Sequence, residues 1–255
     1  MACTSKSAPL RLGTTTTVQQ SAAIALLDSL WHGEPLATVI EPSGQILQAA
    51  ARGDLDVVIA HAPSLETRYL VAPGHAALRC TFVASRFGIV GPPPPDDSAG
   101  VSQATSAVDA FRRIAARRAT FVSRGDSSGT HVKELAIWKA AGVTPHGPWY
   151  IESGADQGTT LHIADERNGY ALADLPTFAK LTGVRLRMLY AGDTLLQNPY
   201  TLYVVRRTPP RPGAVAFARW AIGPWRAALL ARRLPDGQAA FTSDSAACSA
   251  TASPP

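Results

Sequence analysis

At 255 residues the chain can bury roughly three quarters of the surface its unfolded form exposes, enough for one large domain or two lobes. Its hydrophobic content of 46% and charged content of 17% are ordinary for a folded globular protein, and no apolar run approaches the ~20 residues a membrane-spanning helix needs. A net charge of +5 raises nucleic acid as a partner. However, pairs such as Arg112-Arg113 and Arg117-Arg118 lie among alanines without the interleaved aromatics of a base-stacking surface, so no nucleic-acid partner is expected.

The first part of the chain alternates short strands with helices. Residues 10–12 read as a strand, followed by the turn Gly13-Thr14-Thr15-Thr16-Thr17. Ile24, Leu27 and Trp31 recur at helical spacing over 21–31. Residues 38–40 are a strand, Pro42-Ser43-Gly44 a turn, and 45–52 a helix with Gly53 as its stop. The apolar run Val57-Val58-Ile59-Ala60 suits a central parallel strand. This alternation predicts parallel pairing and an α/β lobe. Two further extended runs are expected over 80–90. Pro92, Pro93, Pro94 and Pro95 then stop regular structure, because proline continues neither a helix nor a central strand.

A helix over 106–118 places Val108, Phe111, Ile114 and Ala115 on one face. After an extended run at Phe121-Val122 comes a turn, a helix over 132–141, an extended run over 149–152, a turn over 154–160 and a helix over 161–167. Residues 186–190 and 200–205 are extended, with the return crossover near Pro199, and 213–233 is helical with a break at Gly223-Pro224. Residues 243–255 are small, polar or proline and contribute no core, so disorder is expected there. The expected division is a first lobe of 9–90 plus 200–242, a second of 91–199, and the tail.

The stretch Phe121-Val122-Ser123-Arg124-Gly125-Asp126-Ser127-Ser128-Gly129-Thr130-His131 carries the most chemical information. An extended run turning through glycines into a helix leaves unpaired N–H groups where the macrodipole is positive. Arg124 and several hydroxyls add donors, which together suit an anion. The same residues admit plainer roles: Arg124 could pair with Asp126, and Ser128 and Thr130 could cap the following helix. Taken alone, the threonine turn also reads as an edge strand or a capped helix start. Ser43-Gly44-Gln45 and the turn over 154–160 repeat the arrangement. Four such turns over two lobes point to a tetrahedral oxyanion held from both sides.

Gly125-Asp126-Ser127-Ser128-Gly129 also satisfies G-x-S-x-G, so a serine hydrolase using Ser127 is an alternative. Its acid would come from Asp156, Asp174 or Asp193 and its base from His131, His146 or His162. His131 is too close on the same helix, His162 falls within a helix start, and no histidine follows it, so no enzyme is expected. The six histidines form no metal-ligand spacing. With no Walker lysine and no G-x-G-x-x-G, neither a metal cation nor a cofactor is expected. Cys3, Cys80 and Cys248 cannot all pair with one another, and whether Cys80 and Cys248 pair stays open. Ala2-Cys3 looks like the start of a mature bacterial lipoprotein. If Met1 replaces a removed signal sequence, Cys3 is the lipid anchor; if Met1 is native, it is an incidental thiol.

On these residues the chain resembles the tungstate-binding proteins of bacterial ABC importers, a branch of the type II periplasmic solute-binding proteins. The resemblance covers about residues 10–241. It is carried by Leu12-Gly13-Thr14-Thr15-Thr16-Thr17, Gly44-Gln45, Arg52-Gly53-Asp54-Leu55-Asp56-Val57-Val58 and His61-Ala62-Pro63. The block 122–136 carries it above all, with Trp138-Lys139-Ala140-Ala141-Gly142, Gly147-Pro148-Trp149-Tyr150 and Asn198-Pro199-Tyr200 adding to it. It implies two α/β lobes joined by two crossing strands and closing around the anion, with contacts from Thr15, Thr16, Arg124 and Thr130. Ser43, Ser128, Gly158 and Thr159 are further candidates by position.

The implied ligand is tungstate, with molybdate weaker, delivered by a monomer to the membrane subunit of an ABC permease. The implied location is periplasmic or lipid-anchored at the cell envelope. An oxyanion-sensing regulatory domain would use the same site. Three positions depart from the family pattern. Thr17 replaces a usual serine, Pro42-Ser43-Gly44 replaces a glycine–threonine–glycine-like turn, and Asp156-Gln157-Gly158 replaces glycine–methionine–glycine. A carboxylate at Asp156 repels an anion unless it points away.

Overall fold

Residues 8–209, 211–235, 237–243 and 247–251 are described by a computed structural model. Cys3 lies outside them. In chain order the elements begin with β1 (Leu10–Thr14), α1 (Thr16–Gln20), α2 (Ala23–Leu30), β2 (Leu36–Ile40), α3 (Ser43–Ala51), β3 (Val57–Ala60) and α4 (Pro63–Glu66). A long strand, β4 (Ala76–Gly91), follows, then α5 (Ala107–Arg117), β5 (Phe121–Ser123), α6 (Gly129–Ala141), β6 (Tyr150–Glu152) and α7 (Gln157–Glu166). The rest are β7 (Ala171–Asp174), α8 (Leu175–Phe178), β8 (Arg187–Tyr190), β9 (Gln197–Val205), α9 (Pro212–Trp220), α10 (Arg226–Ala231) and β10 (Ala247–Ala250).

β1 sits in parallel between β2 and β3, as the strand–helix alternation predicts. All four residues of β3 are buried, because the strand is covered on both faces. β9 runs antiparallel beside β3 and β4 beside β9, giving the order β10-β4-β9-β3-β1-β2. The two extended runs expected over 80–90 are one strand of 16 residues. Its first part belongs to this sheet, whereas Phe87 to Gly91 pair antiparallel with β7 and β8. β5 and β6 pair in parallel, and a bridge from Phe121 to Tyr170 brings them alongside the start of β7.

Two lobes result, each with its own core. Leu10, Leu27, Phe82, Tyr200, Phe217 and Trp225 pack together in the first. Phe87, Ile89, Phe111, Phe121, Trp138 and Leu196 pack in the second, with the Phe111 and Trp138 ring centroids 4.4 Å apart. Phe87 and Ile89, expected in the first lobe, therefore belong to the second. The core changes within β4, upstream of the proline run, because Phe87 and Ile89 pack against α5 and α6 and Val90 against α7. β4 and β9 are the two strands that cross between lobes.

Three further expectations are corrected. The helix over 213–233 does not break at Gly223-Pro224; it widens into a π-turn over Ala221–Trp225, which accommodates the missing proline N–H without stopping the chain. The turn at 154–160 is shorter than expected, since α7 already starts at Gln157. Part of the tail is ordered. β10 pairs antiparallel with Leu78 to Thr81 of β4, and Cys248 forms a disulfide with Cys80. Its small residues need no core, because an open strand edge and a covalent link hold them.

Candidate functional site

In the first lobe, β1 runs into the threonine turn. The Thr15 side chain caps α1 by accepting the Val18 N–H at 3.3 Å, while its carbonyl accepts the Gln19 N–H at 3.0 Å. Thr16 and Thr17 begin the helix. At the next turn the Pro42 carbonyl takes the N–H groups of Gln45 and Ile46. Ser43 is the first residue of α3 and fully buried, and its hydroxyl has no partner among the described residues. The hydroxyl of Thr14 is buried and unpartnered in the same way.

The second lobe presents a cross-braced turn. Gly125 has φ +62°, and a Cβ there would lie 2.8 Å from that of Glu152, so only glycine fits. The Asp126 carboxylate accepts from the Ser128 N–H at 3.0 Å and from Arg124 Nη2 at 2.5 Å. Ser128 caps α6 by accepting the His131 N–H at 3.2 Å. Behind the turn, Glu134 accepts hydrogen bonds from Ser123 Oγ (2.7 Å), Tyr150 Oη (2.8 Å) and Trp138 Nε1 (3.2 Å). Burial pushes its carboxyl up to about 7 against those three bonds.

Arg124 joins the two sides. Its side chain is 1% exposed, and it reaches across to donate from Nη1 to Thr17 Oγ1 and from Nη2 to Thr16 Oγ1, both at 3.2 Å. Burial draws the guanidinium below its ordinary pKa, and Asp126 opposes that by favouring the charged form. Nε is buried and unpartnered among the described residues. Gly44 of the first lobe lies against Ser127 of the second, with a Cβ at Gly44 falling 3.7 Å from the Ser127 Cβ. The cleft is thus narrow where the turns meet.

The remaining candidates fall on the α6 and α7 starts. Thr130 is buried and donates to Gln157 Oε1 at 3.4 Å, which ties the two helix starts together. Gly158 is half-buried in the first turn of α7, and Thr159 is exposed. Asp156 caps α7 by accepting the Thr159 N–H at 2.8 Å. Partial burial pushes this carboxyl up, but hydrogen bonds from Thr159 and Gln20, with Arg124 nearby, hold it below its ordinary value. The unusual carboxylate is therefore engaged by its own helix. Of the expected residues, Thr16 and Arg124 come into direct contact, Ser43, Ser128 and Thr130 line the same junction, and Thr15 serves as a cap. Thr17 stands as close to the guanidinium as Thr16 and was not among the expected contacts.

A second polar group lies at the crossing strands, against the start of α6. His61 follows β3, and its Nδ1 is 3.0 Å from Asn198 Oδ1. Asn198 Nδ2 reaches Ser85 Oγ (2.9 Å) and Asp174 Oδ1 (3.1 Å). In sequence, His61-Ala62-Pro63 and Asn198-Pro199-Tyr200 appear only as separate short matches; nothing local indicates that they touch. His131, the histidine nearest Ser127, accepts the Ser127 backbone N–H at Nδ1, 3.1 Å away. Among the described residues no group of three or more His, Cys, Asp or Glu is placed to hold a metal ion. None of their helices is long and apolar enough to cross a membrane.

Residues 4–224 match the PBP superfamily domain. The chain is 40% identical over 200 residues to a putative ABC transporter anion-binding protein of Haloferax volcanii, covering 75% of this chain and 58% of that one, so it spans less than two thirds of that relative's length. It is 34% identical over 222 residues to the tungstate-binding protein TupA of Peptoclostridium acidaminophilum, covering 82% of this chain and 76% of TupA. The fold superposes on the crystal structure of the tungstate ABC transporter from Geobacter sulfurreducens with a TM-score of 0.74 and 36% identity, covering 85% of this chain and 94% of that one. With two lobes joined by β4 and β9 and a donor-lined junction between them, the chain belongs to the PBP superfamily, in the tungstate-binding branch of the type II solute-binding proteins of ABC importers.

Proposed function

We propose that this chain captures tungstate between its lobes and presents it to an ABC permease, with molybdate a weaker ligand. The observation that carries this reading is Arg124, a buried guanidinium of the second lobe bonded to two hydroxyls of the first. The dianion is fully ionised near neutral pH, so a site of donors suffices. Thr16, Thr17, Ser43, Ser128 and the first N–H groups of α3, α6 and α7, including those of Thr130 and Gly158, supply them. A hydrogen bond to a charged group contributes about 1.5–3 kcal/mol net. Six to eight of them, less lobe closure and anion desolvation, reach about −12 kcal/mol, which is nanomolar binding.

Selectivity follows from fixed spacing. Sulfate and phosphate are smaller and cannot reach donors on both lobes at good distance. The work is binding rather than covalent chemistry. The Cys80–Cys248 disulfide supports an extracytoplasmic location, since such bonds persist in oxidising compartments. A thermal melting scan against tungstate, molybdate, sulfate and phosphate tests the reading. At a thousandfold excess over Kd, tungstate should add about 4 kcal/mol of stability, molybdate less, and sulfate and phosphate little. No shift with tungstate refutes it.

A further inference from the structure

His61 is buried at the end of β3, and its surroundings fix its proton. Asp174 at the end of β7 accepts from Ser85 Oγ at 2.5 Å and from the Thr177 N–H and hydroxyl at 3.3 and 3.0 Å. Burial raises Asp174 to about 6; above that pH it is a carboxylate and requires donors, so Asn198 must turn its NH2 toward Asp174 and its carbonyl toward His61. The neutral imidazole must then carry its hydrogen on Nδ1. Nε2 is left as a bare lone pair, buried and unpartnered among the described residues. The ring sits against the start of α6. A Cβ on Gly129 would fall 2.4, 2.6 and 3.0 Å from its Cε1, Nδ1 and Nε2. An unpartnered acceptor thus stands against Gly129, the residue between Ser128 and Thr130.

We propose that His61 is a further anion-binding group, and that capture of the dianion takes up one proton from solvent onto Nε2, which then donates to an anion oxygen. The proposal rests on the tungstate reading above. A lone pair facing an anion oxygen repels it, whereas an imidazolium N–H binds it and adds a positive charge. Several charged or titratable groups face the ring. Arg124 and Lys133 approach from the second lobe; Tyr200 packs beside it with centroids 5.6 Å apart; Asp174 stands behind Asn198; and Glu66 accepts the neighbouring Ala62 N–H. Burial, with Arg124 and Lys133 opposing charge, holds His61 down at about 4, so the ring is neutral before the anion arrives. A bound dianion offsets those cations and raises the proton affinity of Nε2. Uptake of one proton makes affinity rise by up to about tenfold for each pH unit of acidification.

The test is isothermal titration of the full chain with micromolar tungstate between pH 6 and 8, in paired buffers of different ionisation enthalpy. Proton uptake should appear and grow toward pH 6, and affinity should rise in step. In His61→Gln, tungstate should still bind, without uptake and with flat pH dependence. Asp174→Asn, which removes the other buried acid of the network, should leave uptake in place. Independently of any variant, 15N spectra of the wild-type ring should pass from the Nδ1–H tautomer to imidazolium as tungstate is added. Tight binding without proton uptake, uptake that survives His61→Gln, or a ring that stays neutral in the complex overturns this proposal alone. Absence of tungstate binding by the wild type overturns the site assignment with it.

Discussion

The two sides of the cleft solve the same electrostatic problem differently. The second-lobe side centres on one continuous block, 123–134, whose charged groups are braced: Asp126 holds Arg124 and the Ser128 N–H, and Glu134 holds Ser123, Trp138 and Tyr150. The first-lobe side is assembled from turns far apart in sequence and supplies neutral hydroxyls, two of which (Thr14 and Ser43) have no protein partner among the described residues. Fixed charge sits on the braced side, where losing its alignment would be most damaging. Two unsatisfied hydroxyls sit on the other, where they contribute only once an anion accepts from them, while the braced side keeps one unpartnered donor, Arg124 Nε. Such a division suits closure, since the charged side stays preorganised while hydrogen bonds on the neutral side complete the grip.

The comparison is broken most severely at Arg124. Arg124→Ala removes a guanidinium that reaches both lobes and leaves Asp126 without its counter-ion. Tungstate affinity should fall at least a hundredfold, about 2.7 kcal/mol, with circular dichroism unchanged; an unaltered Kd by titration calorimetry would remove Arg124 from the site. Arg124→Lys should recover little, because an ammonium cannot hold Asp126, Thr16 and Thr17 in one plane.

The braced side can also be tested without ligand. Burial raises Glu134 to about 7 in the folded protein, above the ordinary value it takes when unfolded. Folding therefore favours its protonated form, and that contribution is present at acid pH and lost as pH rises toward and through about 7. Melting measured from pH 5 to pH 8 should show this loss, on the order of 2 kcal/mol. Glu134→Gln, which cannot ionise, should show a smaller decline. A pH profile identical to that of the wild type would mean the carboxyl stays ionised throughout.

How much of this was legible in the sequence follows the same division. The block around Arg124 is local: a strand, a glycine turn and a capped helix within a few residues, so both its shape and its chemistry can be read directly. The parallel order of β2, β1 and β3 is likewise written in alternating apolar runs and turns. Contacts made by distant segments are not. Ser85, His61, Asp174 and Asn198 meet because β4 and β9 cross between lobes, yet each appears in sequence as an isolated polar residue beside an apolar stretch. Asp156 reads as a turn residue because its capping role depends on where α7 begins. β10 has no periodicity to detect; its position is set by Cys248 finding Cys80.

The neutral side offers the smallest effect and the sharpest contrast. Ser43 buries a hydroxyl that the folded chain does not satisfy, and leaving such a group unpaired costs about 1–3 kcal/mol. Ser43→Ala deletes that cost, so the ligand-free protein should melt at a higher temperature than the wild type. The same change removes one donor to a charged acceptor, so tungstate should bind roughly tenfold more weakly, about 1.4 kcal/mol. The two effects have opposite signs. The gap between melting curves with and without tungstate should therefore narrow in the variant, the free protein melting higher while tungstate adds less. A substitution that lowers both temperatures would instead place Ser43 in the structural frame, with its hydroxyl bonded inside the protein rather than reserved for the anion.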